Sequence, residues 1–355
     1  MQASCYFLGA NSRHGFYSLY DSFPDFAAGE FLRVIKGGPG CGKSTLMRRI
    51  GSAAEAAGLE VEYILCSGDP DSLDAVRIPA LGAAYVDGTA PHVIEAGLPG
   101  AASDYLDMSR FLDKTALRGL RGELEALNRQ YKALYASAYD LLNAGAALLP
   151  RNRPGLWGAR ELEKLDKKVS ALAARELRSQ DKSPKTLRRF LSAYSCKGRL
   201  TLTETLAAGG YRVCLLDNGL GMAPAFLERM AASAAARGYD RVLCPDPLEP
   251  EKLEALLLPE AELAFLAAAE ALPAGIDAPW RHLRLDALAE KACVAESRAA
   301  LRRQRKDSAL VLDHALSALA EAKALHDTLE ALYRPHVDFA GAAALAEAEK
   351  HALGI

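Results

Sequence analysis

One stretch constrains this chain more than any other. Residues 33–46 read RVIKGGPGCGKSTL, so that Gly37, four intervening residues and Gly42-Lys43-Ser44 keep the spacing G-x-x-x-x-G-K-[ST]. Gly37, Gly38, Gly40 and Gly42 carry no Cβ, which lets the backbone curl close to an anion with its N–H groups inward. Pro39 and Cys41 fill the remaining loop positions. The run before the loop, FLRVI at 31–35, is apolar and β-branched and reads as a strand. After it, Leu46, Ile50, Ala53, Ala54 and Ala57 recur at helical spacing until Gly58 stops the pattern. Strand, glycine loop and helix together place a phosphate chain at the positive end of a helix. In that setting Lys43 reaches the β- and γ-phosphates, Ser44 offers its hydroxyl to Mg²⁺ and Thr45 adds a contact to the α-phosphate. The loop therefore predicts a site for a nucleoside triphosphate with Mg²⁺.

The rest of the composition is ordinary. The chain has 355 residues, half of them hydrophobic and a quarter charged, with a formal net charge of −2. That suffices for two or three cored domains and gives no global bias toward nucleic acid. Seven cysteines are scattered without a C-x-x-C pair, so neither a zinc ribbon nor a disulfide framework is indicated. Cys41 inside the loop reads as a space-filler. The first ten residues lack the basic start and apolar core of a secretory signal, and no run reaches membrane-spanning length. A cytoplasmic protein with no membrane partner is the expectation.

Further strands are expected at 5–10, 61–66 and 82–86, and a short helix within 15–25. Strands alternating with helices predict an α/β fold with a mostly parallel sheet, whose ligands sit at the carboxyl ends of its strands. Two acidic positions fall at such ends. Asp87 follows an apolar strand and fits the carboxylate that holds magnesium-bound water, so it joins Ser44 as a candidate metal residue. Asp69, Asp71 and Asp74 crowd the turn after 61–66. Asp69 is the candidate to orient an attacking water, against a role for Asp71 or Ser72 as cap of a short helix. His92 lies in the next turn as a candidate substrate contact.

From residue 117 onward Leu117, Leu120, Leu124, Leu127, Tyr131, Leu134, Ala138 and Leu141 alternate steps of three and four. PRNRPGLWG at 150–158 interrupts the seam, and Leu162, Leu165, Val169 and Leu172 resume it. An antiparallel helical hairpin is the economical reading, a dimerising coiled coil the sharper one, and either could carry a protein partner. The segment 151–199 is basic. It reads as a solvated face rather than a nucleic-acid surface, because Trp157 is nearly its only large ring away from the strand at 190–194. Arg151 or Arg153 at the hairpin tip are candidates for an arginine acting in trans.

The chain then repeats itself. FLGANSRHG at 7–15 returns as FLSAYSCKG at 190–198, Gly58 as Gly238, Cys66 as Cys244, DPDSLDA at 69–75 as EPEKLEA at 249–255, and Leu106-Asp107 as Leu285-Asp286. The implied organisation is a tandem duplication: a loop-bearing core at 1–112, a helical hairpin at 113–182, a second core at 183–286 and a helical region at 287–355. The second loop, RVCLLDNGLGMAPAFL at 212–227, keeps Gly219 and Gly221 but has Met222, Ala223 and Pro224 where a lysine and a hydroxyl belong. One competent site and one pseudo-site are expected.

With the loop, the repeat and CSGDPDSLDAVRIP at 66–79 in hand, the chain resembles an uncharacterised bacterial family of tandem P-loop ATP-binding proteins. The resemblance implies a P-loop NTPase-like fold, ATP binding and hydrolysis, and no particular substrate. This chain departs from it in the second loop. Two other readings stay open: a small-molecule kinase with Asp69 or Asp74 as base, and a nucleotide-binding scaffold or sensor with negligible turnover.

Overall fold

The structure, a computed structural model, describes residues 3–90, 93–149, 155–268, 274–276 and 278–355. His92, Arg151 and Arg153 lie outside the described residues.

The first half runs through β1 (Ser4–Tyr6), β2 (Gly9–Ser12), β3 (Gly15–Ser18), β4 (Phe31–Lys36), α1 (Lys43–Ala56), β5 (Glu62–Leu65), β6 (Leu73–Ile78), β7 (Ala83–Asp87) and β8 (Ser103–Asp107). After α2 (Lys114–Gly119), α3 (Arg121–Ala147) and α4 (Ala159–Glu176) the same order returns. The second half comprises β9 (Thr186–Arg188), β10 (Ser192–Ser195), β11 (Gly198–Thr201), α5 (Thr203–Ala208), β12 (Arg212–Asp217), α6 (Ala223–Ala235), β13 (Arg241–Pro245), β14 (Leu253–Leu258), β15 (Leu263–Ala268) and β16 (Arg281–Leu283), and ends in α7 (Lys291–Tyr333) and α8 (Phe339–Leu353).

Each half builds its own six-stranded sheet, in the order β1-β5-β6-β7-β4-β8 and, element for element, β9-β13-β14-β15-β12-β16. The sheets are α/β and mostly parallel, but β6 and β14 run against both neighbours. The sequence reading missed β6 because its first residues sit in the carboxylate-rich turn. Asp71 and Ser72 cap no helix, and the chain goes extended at Leu73. Five of the six β6 residues are buried, and the Asp74 carboxylate is satisfied there by the Tyr20 hydroxyl at 2.9 Å. The predicted helix within 15–25 is instead the hairpin strand β3 followed by a single 3₁₀ turn.

The halves are related by an approximate two-fold, and equivalent residues meet across it. Phe7 and Phe190 exchange backbone hydrogen bonds, each N–H donating to the other's carbonyl at 2.9 Å. Arg13 N donates to Leu248 O at 3.0 Å, and its counterpart Cys196 N donates to Gly68 O at 3.3 Å. Around this pairing lies one shared core containing Phe7, Leu8, Ile64, Phe190, Leu191 and Leu257. Strand register also corrects the repeat in one place. Leu106 pairs with Ile35 and Leu283 with Leu216, so the partner of Leu106-Asp107 is Leu283-Arg284, two residues earlier than the sequence match.

The helical hairpin expected at 113–182 does not close on itself. The α3 seam packs antiparallel along α7: the Tyr131 ring lies 5.6 Å from His326, and Gly145 O accepts from Ser308 Oγ at 2.8 Å. Ala138, Leu142 and Ala146 bury against Ala315, Ala318 and Leu319, which occupies that stretch of the helix inside one chain. The helices beyond are exchanged. Leu165, Val169 and Leu172 of α4 pack against Phe226 and Met230 of the second core, while Ala342 and Ala346 of α8 join Leu46 and Ile50 of the first. The rhythm in the sequence was a true packing signal; its partner lay some 180 residues away, beyond the reach of local spacing.

One charged cluster crosses the joint. Arg189, 1 % exposed, pairs with Glu62, which also takes Arg77 Nη1 at 3.1 Å. Burial pushes the Glu62 carboxyl up, but the Arg189 and Arg77 guanidinium groups outweigh it and hold it below its ordinary value of 4.5. A folded-state value below the unfolded one gives stability that is complete above the unfolded value and lost as pH falls through the folded one. Removing one member of a buried pair costs about 3–5 kcal/mol. Glu62→Gln should show a loss of that size at neutral pH in denaturant unfolding, and its gap from the parent chain should close on acidification.

Candidate functional site

The site grows from two adjacent parallel strands. Register pairs Ile35 at the end of β4 with Asp87 at the end of β7. The glycine loop leaves β4 and turns into α1 through Gly40 and Gly42, whose φ of 63° and 91° lie in the left-handed region that a side chain resists. At its far side Lys43 Nζ lies 3.5 Å from Asp87 Oδ2 and donates to Gly38 O at 2.9 Å and Gly37 O at 3.3 Å. The other Asp87 oxygen accepts from Thr89, from N–H at 2.9 Å and from Oγ1 at 2.6 Å. Ser44 Oγ accepts from Leu73 N at 2.9 Å, leaving its proton free to point elsewhere. Lys43 and Asp87 therefore meet, Ser44 follows Lys43 in the first turn of α1, and Thr45 stands exposed on the next position. Cys41 is buried among Ile35, Leu46 and Met108, and burial raises its thiol.

Asp69 is turned elsewhere. Its carboxylate lies 3.4 Å from Lys323 Nζ on α7. Asp71 pairs with Lys197 of the other half, and Asp74 is buried under Tyr20. Asp69 and Asp71 thus serve the contacts of the turn with α7 and with the second half, and Asp74 serves the packing of the first half.

Sequence reasoning had no access to the roof of the site. The last turns of α7 lie on the loop. A Cβ placed on Gly38 would sit 3.0 Å from the Tyr333 ring, and one on Gly40 would sit 3.3 Å from Glu330 Cβ and 3.4 Å from Arg334 Cγ. The glycines there give way to a helix as well as to an anion. Tyr333 and Arg334 stand about 290 residues beyond the loop, and no local motif marks them.

The second half has lost more than its loop. Ala223 and Pro224 open α6 where Lys43 and Ser44 open α1. Register pairs Leu216 of β12 with Ala267 of β15, so Ala267 stands where Asp87 does. The loop itself is filled from within. Asp286 Oδ1 accepts from Leu220 N at 3.0 Å, Asn218 Oδ1 accepts from Ala223 N at 3.3 Å, and Trp157 Nε1 donates to Leu220 O at 2.8 Å. Leu156, Leu220, Ala289 and Leu301 close over it. A side-chain carboxylate takes a donor that an open loop would keep for a phosphate.

Among the described residues of the basic segment at 151–199, several cations are already paired within the chain. Arg189 is buried on Glu62, Lys182 pairs with Asp240 and Glu260, and Arg199 with Glu254. Among the described residues no helix is long and apolar enough to cross a membrane.

Gly40→Ala should lower stability by about 1–2 kcal/mol through left-handed strain alone, read as a lower denaturation midpoint. No family model, curated protein or solved structure matches the chain.

Proposed function

We propose that this chain binds Mg²⁺–ATP at its first glycine loop and hydrolyses it there, with a second half that has become a scaffold. The observation that carries this reading is Lys43 meeting Asp87, with Ser44 in the first turn of α1, beside a loop whose left-handed glycines turn into that helix. The residues present fit the pair of ligands. Lys43 would trade the Gly37 and Gly38 carbonyls for phosphate oxygens, and Ser44 would turn its hydroxyl to the metal, with Asp87 behind it to hold a metal-bound water. Magnesium, when bound, draws charge from the β- and γ-phosphate oxygens.

Arg334 is our candidate for a cation acting on the γ-phosphate in cis. Its stem crosses Gly40, and among the described residues it has no ion pair. An arginine so placed stabilises transition-state charge and accounts for about 10³–10⁵ in turnover in other enzymes of this chemistry. The kinase reading is weaker, since Asp69 is held by Lys323 and Asp74 is buried, which leaves neither as an open base. The sensor reading stays open and differs from hydrolysis only in turnover.

Calorimetry and phosphate release test this directly. Lys43→Ala should weaken Mg²⁺–ATP binding by at least about 100-fold, since it removes the one ammonium group on the phosphates. Arg334→Ala should leave affinity within about threefold while turnover falls by about 10³-fold. Unchanged affinity in Lys43→Ala would refute the site; tight binding with no turnover in the parent chain would leave the sensor reading in its place.

A further inference from the structure

The N-terminal half of α7 borders a cleft of about 660 Å³ that the nucleotide reading does not use. Arg298, Arg302, Arg305 and Lys306 line it from α7, over an apolar floor that includes Leu220 and Leu301. Positions 298, 302 and 305 share one helix face and span about 10 Å at 1.5 Å per residue. Among the described residues the cleft holds one carboxylate, Asp286, which accepts from Leu220 N. Arg305 reaches Gly219 O at 3.4 Å. Among the described residues Arg298, Arg302 and Lys306 have no ion-pair partner, whereas Lys323 on the same helix has two. Arg298, Arg302 and Lys306 therefore bring an excess of positive charge to a concave space. Its volume lies in the range of small-molecule sites, about 300–1,000 Å³.

The geometry points to this cleft as a binding site for a small polyanion, a molecule with two or more phosphate groups and a compact apolar body. The guanidinium pair Arg298 and Arg302 takes the phosphates, because planar forks match their oxygens. The Leu220–Leu301 floor takes the body. The filled loop beside it contributes shape, with Leu220 N–H already given to Asp286 and Ala223 N–H to Asn218. The second half thus binds anions through a helix face where the first half uses a loop. This inference stands apart from hydrolysis at the first site.

The test uses the full chain carrying Lys43→Ala, so that the first loop cannot contribute, with inorganic tripolyphosphate as probe in calorimetry at low salt. One site per chain is expected, and Arg298→Ala with Arg302→Ala should weaken it by at least about tenfold, the loss of two charge-assisted contacts. Both side chains are exposed, so the circular dichroism spectrum should not change. Absence of binding, or affinity indifferent to the two arginines, overturns the proposal. A single-stranded oligonucleotide binding at least about tenfold tighter than tripolyphosphate, with the same arginine dependence, overturns it in favour of a nucleic-acid surface.

Discussion

The molecule depends on a core that belongs to neither half. Phe7 and Phe190 hydrogen-bond to each other across the approximate two-fold, and the side chains around them come from both sheets. A hydrophobic core shared in this way makes each half incomplete alone, because the apolar face that it presents to the axis is covered by its copy. The buried Arg189–Glu62–Arg77 cluster lies at the same joint and fixes which strands meet, since a charge displaced from its partner there would be stranded out of water. The exchange of α4 and α8 adds a second tie. Each core is closed by the helix that follows the long helix arriving from the other one.

That arrangement gives α7 two addresses. Its N-terminal half faces the filled loop of the second core, and its last turns rest on Gly38 and Gly40 of the first. With α3 lying along it, this helix touches both loops. The two loops have diverged in opposite directions around a common frame. One kept a lysine, a hydroxyl and an acid facing an open cradle. The other lost all three and bound its own carboxylate, Asp286, in place of a ligand. A loop whose N–H groups are given to its own side chains needs no anion to satisfy them.

Much of this was legible in the chain. Residues 31–57 announced strand, loop and helix because each signal is local: β-branching, missing Cβ atoms, a 3.6-residue rhythm. Asp87 was legible because it ends an apolar strand. The duplication was legible because identical geometry demands similar residues at similar spacing, even where Leu285-Asp286 misled by two positions. The antiparallel β6 was not, since carboxylates at 69, 71 and 74 signal a turn and say nothing of Tyr20 waiting to satisfy one of them.

The sequence by itself determined the strand–glycine loop–helix unit, the doubled α/β architecture and the absence of a lysine and a hydroxyl from the second loop, all of which follow from the conformational freedom and charge of neighbouring residues. Only the tertiary structure decided that α3 pairs with α7, that Asp69 answers to Lys323, that Ala267 replaces the acid, and that Tyr333 and Arg334 roof the site. Those facts rest on contacts between residues tens to hundreds of positions apart. A heptad seam states that a helix has a partner; only the packed chain supplies which one.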